Sequence, residues 1–145
     1  MDNYYVTAQR MYSDLEVLYK ENRWFNTCYL SGYVVECYSK LILSQILGMT
    51  QTQVRNFRHD LQRINIELQT ILPTLISGGR IPSSFLVDIN CLCPNICSGS
   101  QSWHPEHRYS DGVGFWEETI AKDYYTEVNK LILILIEMDI SGVIR

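Results

Sequence analysis

The chain has 145 residues, a formal net charge of −4, and 46% hydrophobic against 19% charged residues. A single domain spanning residues 1–145 can bury roughly 70% of its unfolded surface at this size, so neither disulfides nor a structural metal is needed for stability. The mild acidity argues against a general polyanion binder while leaving room for a local basic cleft, and the longest late apolar run, residues 131–136, is far too short to span a bilayer.

The start, MDNYYVTAQRMY, has no basic region followed by an apolar run and does not read as a secretory signal. Residues 2–21 read as a first helix, capped by Asp2 or Asn3, with Tyr5, Ala8, Met11, Tyr12, Leu15, Leu18 and Tyr19 on its inward stripe. Asn22 and Arg23 form a turn so short that the next helix must be an antiparallel neighbour. That next helix, residues 25–47, is the centre of the reading. Phe25, Cys28, Tyr29, Gly32, Tyr33, Cys37, Lys40 and Leu41 recur at helical spacing, and Leu30, Val34, Val35, Tyr38 and Ile42 form a second stripe beside them. A helix apolar over so much of its circumference must be surrounded by others. Gly48 ends it.

Residues 50–58 are polar and predict at most a helical turn. A third helix covers 59–76, burying Leu61, Ile64, Leu68, Ile71, Leu72 and Leu75, with Pro73 predicting a kink or an early end near Leu72. Residues 77–114 lose helical period, apart from a short helix predicted over 84–91. A loop of this length in a compact domain is often functional. Residues 115–139 form the last long helix, with a core face of Ile120, Tyr124, Val128, Leu131, Ile132, Leu135 and Met138. Tyr125, Ile134 and Ile136 widen its apolar surface toward a subunit contact. The fold expected is all-α, an antiparallel four- to five-helix up-and-down bundle with a long loop before the last helix.

Several groups carry chemistry. Glu36 and Lys40 are spaced for an i,i+4 pair inside an apolar helix: either a buried structural ion pair or the charged floor of a nucleotide- or RNA-binding cleft. Asp60 can cap the third helix while His59 packs against the central one; alternatively Arg55, Arg58, His59 and Arg63 form a basic patch for phosphate. His104, His107, Arg108 and Tyr109 follow the long loop, and Arg108 either pairs with Glu36 or clamps phosphate. Trp103, Phe115 and Trp116 read as packing anchors, with stacking on a base as the alternative. Cys91, Cys93 and Cys97 lack the C-x2-C spacing of zinc fingers, so they read as unliganded and no metal site is assigned; the alternative is a zinc-bound regulatory module that draws its ligands from them and from His104 and His107. No cofactor motif is present: no Gly-rich phosphate loop with Lys-Ser or Lys-Thr, no G-x-S-x-G and no H-E-x-x-H. The odd count of five cysteines, with Cys28 and Cys37 on a core helix, points to a reducing cytoplasm.

Four stretches in order, AQRMYSDLEVLY at 8–19, CYLSGYVVECYSKL at 28–41, HDL at 59–61 and RYSD at 108–111, resemble the HEPN (higher eukaryotes and prokaryotes nucleotide-binding) family. The resemblance implies a helical bundle, commonly a homodimer. It also implies work beside a small nucleotidyltransferase as the toxin half of a toxin–antitoxin pair, or action as a ribonuclease. It places Arg108 and Tyr109 near the start of the last helix. The ribonuclease branch carries Arg, four to six residues, then His; here Arg55 precedes His59 with only three between them. The expectation is therefore a non-catalytic or weakly catalytic dimeric module. It would bind nucleotide, RNA or a partner protein through Glu36, Lys40, Arg58, Arg108 and Tyr109. The alternative is a metal-independent ribonuclease using His59 as acid–base and Arg55 or Arg108 as anion stabiliser.

Overall fold

The computed structural model describes residues 2–83 and 88–145, and every regular element among them is helical. Helix α1 spans Tyr4–Lys20. Asn3 caps it, its side chain accepting from the Val6 amide at 3.0 Å, while Asp2 turns instead to Arg55. Asn22 closes the turn at φ 58°, a left-handed conformation that asparagine tolerates better than most residues.

Helix α2, Trp24–Leu41, is the enclosed centre. Every side chain from Val34 to Leu41 is buried, because α1 and two later helices, α4 (Leu61–Ser77) and α7 (Glu118–Ile140), pack around it. The helix continues as a wider π-helical turn, Ile42–Ile46, and stops at Gly48, whose φ of 69° suits glycine. The Tyr38 hydroxyl lies in this core without a hydrogen-bond partner. A buried hydroxyl left unpaired costs about 1–3 kcal/mol. Tyr38→Phe is therefore expected to leave stability unchanged or raise it by about 1 kcal/mol, read as the urea midpoint at constant slope.

A capping box between Thr50 and Gln53 starts the short helix α3, Gln51–Arg55. Asp60 caps α4, Leu61–Ser77, by accepting from the Arg63 amide at 2.9 Å. Of the kink or early end that Pro73 predicts near Leu72, the early end does not occur. The helix runs on to Ser77, with Leu72 fully buried and Leu75 and Ile76 packed against the core. Burial of that turn offsets the hydrogen bond proline cannot donate.

The long connection before the last helix is not structureless. It contains α5, Ile89–Leu92, α6, Pro94–Ser98, and a 3-10 turn, Pro105–Tyr109. The helix expected over 84–91 appears only in its last part, since 84–87 lie outside the described residues. Polar side chains from the bundle hold this segment down. Asn65 on α4 accepts from the Ile89 amide and donates to Asp88. Glu127, buried on the last helix, accepts from the Asn95 and Ile96 amides and from the Asn95 side chain, at 2.7–3.0 Å. Trp103 and Trp116 then complete the core from the loop side.

The last helix, α7, spans Glu118–Ile140 and starts three residues late. Trp116 takes a left-handed conformation (φ 52°) and ties its backbone and indole N–H to Gln101. Helices α1 and α7 run antiparallel: Tyr5 donates to Asp139, Tyr12 to Asn129, and Tyr19 stacks on Tyr125 with centroids 4.0 Å apart. Leu133, Ile136 and Ile140 stay exposed on one stripe of α7. No helix among the described residues is long and apolar enough to cross a membrane.

Candidate functional site

A concavity of about 770 Å³ opens where the start of α4 faces the 3-10 turn across α2. Its floor is aromatic. The half-buried Tyr33 ring meets Trp103 edge to face at 5.0 Å and meets His59 the same way at 5.7 Å. One wall carries Arg58 and His59. The other carries His104, His107 and Arg108. All three histidines of the chain therefore line a single cleft.

Beneath the wall, Glu36 uses both carboxylate oxygens. Oε1 accepts from Lys40 Nζ at 2.7 Å and Oε2 lies 2.8 Å from His59 Nδ1. The Glu36 and Lys40 side chains are only 7% and 8% exposed, whereas His59 is 49% exposed. An ionised carboxylate only accepts hydrogen bonds, so Nδ1 carries the proton and Nε2 is the atom left for a ligand. Lys40 and Glu36 thus form a buried ion pair that reaches the cleft only through His59.

Arg108 does not pair with Glu36. Its guanidinium lies over the exposed Tyr109 ring at 4.7 Å, near Tyr29, which shares a hydrogen bond with Tyr33. Those tyrosines stabilise the charged form and push Arg108 still higher, as burial, the Tyr29 bond and its charge do for the Tyr33 hydroxyl. His107 sits between Phe115 and Trp116, its Nδ1 buried without a partner. Burial first, then His104, pulls its pKa below the ordinary value, against the opposing pull of Glu106. Arg58 stands in a left-handed conformation (φ 51°), a strain of about 1–2 kcal/mol of the kind that collects at ligand sites.

Other predicted residues lie elsewhere. Arg55 forms a fork with Asp2 at 2.8 and 2.9 Å, which holds the Asp2 carboxyl well below the usual range, and it is not part of the cleft wall. Arg55 ends α3, and the Arg58 turn separates it from His59, so the two share no helix face. Arg63 bonds the Asn56 carbonyl and covers Phe57. The four-residue basic patch is therefore only half assembled, by Arg58 and His59. Cys93 and Cys97 are buried and Cys91 is exposed; burial pushes the Cys97 thiol up to about 12. Among the described residues no group of three or more His, Cys, Asp or Glu is placed to hold a metal.

Tyr33 carries no site signal in the sequence, because an aromatic residue at a helical position reads as core; for Trp103 base stacking is the lesser alternative to a packing role. No protein-family model, curated protein or solved structure matches the chain.

Proposed function

We propose that the cleft binds the phosphates of a nucleotide or of single-stranded RNA, in a homodimeric, HEPN-like module of the cytoplasm with little or no catalysis of its own. The observation that carries this reading is the convergence of Arg58, Arg108 and all three histidines on one aromatic-floored cleft. Guanidinium groups hold phosphate oxygens by charge-assisted bonds, and an aromatic floor accepts a base face without reading sequence. The exposed Leu133, Ile136 and Ile140 stripe supplies the dimer contact, with Lys130 and Glu137 on the same helix able to pair across a two-fold axis. The partner class, a small nucleotidyltransferase acting as antitoxin, comes from the family resemblance alone.

Titration with an RNA hexamer at low salt tests the binding reading. Arg58→Gln and Arg108→Gln are each expected to weaken binding and to reduce the slope of log affinity against log salt by about 0.7. Arg55→Gln is expected to leave both unchanged. Equal binding by all three variants and the parent chain removes the cleft from consideration. Light scattering tests the dimer: a monomer mass at tens of micromolar would exclude it.

The Glu36–His59 hydrogen bond favours a second reading, RNA cleavage. His59 Nε2 would take the proton of a 2′-hydroxyl as that oxygen attacks the adjacent phosphorus. Arg108 would stabilise the charged phosphorane, and the 5′-oxygen would leave with a proton from His104 on the facing wall. Loss of cleavage with His59→Ala, while RNA binding persists, would support it. An inert parent dimer ends it.

A further inference from the structure

We infer that the cleft is a proton-linked anion site: it takes a ligand bearing at least two phosphate charges as its imidazoles gain protons, and lets go as they lose them. The inference rests on the reading of the cleft as a phosphate site and adds its regulation. With the imidazoles neutral, the charged side chains of the wall cancel, Arg58 and Arg108 against Asp60 and Glu106. The three histidines are then the whole source of net positive charge, and histidine is the side chain that changes charge between about pH 5 and 8.

The surroundings of His59 and His104 fit this role, while burial holds the His107 ring back from protonation. From α2, His59 meets the Glu36 carboxylate, with Lys40 on that carboxylate's other oxygen and the Tyr33 ring beside it; Arg58 and Asp60 flank it in the chain. His104 lies 3.8 Å from the Glu106 carboxylate and faces His107. His107 faces His104, with Glu106 and Arg108 beside it in the turn and only the uncharged Phe115 and Trp116 behind. The Cys97 thiol on the far side is kept protonated by burial and contributes no charge. Each ring therefore gains a proton more readily once an anion occupies the cleft, and linkage requires the affinity to rise as pH falls.

Calorimetric titration with a 2′-O-methyl uridine hexanucleotide tests this, because its phosphodiesters keep their charge across the range and cannot be cleaved through a 2′-hydroxyl. Affinity is expected to change by up to about tenfold per pH unit for each proton taken up. At least a tenfold loss is expected between about pH 6 and pH 8, and buffers of different ionisation enthalpy should report net proton uptake. The His59→Gln/His104→Gln/His107→Gln variant should bind at both pH values as the parent does at the higher one. Should that variant fail to fold, His104→Gln alone, at a 55% exposed side chain, should still reduce proton uptake. Equal affinity at both pH values with no proton uptake overturns the inference and leaves the binding reading standing. No binding at either pH overturns both.

Discussion

Replacing Gly32 by alanine is expected to destabilise the protein by about 3–5 kcal/mol, the range for losing a buried aromatic side chain from a core. A Cβ at this position would lie 2.0–2.1 Å from three atoms of the Trp103 indole, well inside any real contact. Neither side can retreat cheaply. Gly32 sits in the enclosed middle of α2, and the indole is rigid, 5% exposed, bonded through Nε1 to the Tyr29 carbonyl at 2.9 Å and held edge-on by Tyr33. The indole must therefore leave its slot and take the loop around it along. Chemical denaturation gives the size of the effect, and near-ultraviolet circular dichroism reports the displaced tryptophan. Trp103→Ala separates the cause, since a clash with an absent ring costs nothing. The double variant should be no less stable than Trp103→Ala alone, a strongly non-additive result. Parent-like stability of Gly32→Ala would show that the notch is not tight. Because Trp103 also floors the cleft, ligand binding should fall with it.

That notch illustrates what could be read from residues alone. Helices α1, α2, α4 and α7 announce themselves by period, and the burial of Val34 to Leu41 follows from an apolar stripe too wide for a surface helix. The Glu36–Lys40 pair is likewise a matter of spacing on one helix. Contacts between elements carry no such period. The bond from Glu36 to His59 joins α2 to the turn before α4, and the approach of His104, His107 and Arg108 to that histidine depends on where a long connection lies. The connection is pinned by single residues: Asn65 and Glu127, polar side chains at buried positions, and Trp103, opposite a glycine. A lone buried acceptor or a glycine on an apolar helix does not disclose its partner. Pro73 misleads for a related reason, since the local cost of the ring is visible in sequence and the burial that offsets it is not.

The buried charges beneath His59 give the second large effect. Glu36→Leu is expected to cost about 3–5 kcal/mol, because it leaves Lys40 in the core without its counter-charge. The lost Coulomb attraction is the smaller part of that figure; the larger is an ammonium held away from water with nothing to accept from it. Removing both charges is then less harmful than removing one. Glu36→Leu/Lys40→Met should recover most of the loss, since two apolar chains of similar volume fill the same space without desolvated charge. His59 has its own route to water, with half its side chain exposed, so losing its carboxylate partner adds little to the stability balance. Its role in the cleft responds differently. Without Glu36 the ring is free to turn or to change tautomer, so the double variant should regain stability without regaining the share of proton uptake that His59 contributes. Urea unfolding of the two single variants and the double closes the cycle. A double variant no more stable than Glu36→Leu would mean that the pair holds the helices in register as well as balancing charge. A double variant that recovered stability and took up as many protons on binding as the parent would show that Glu36 does not set His59.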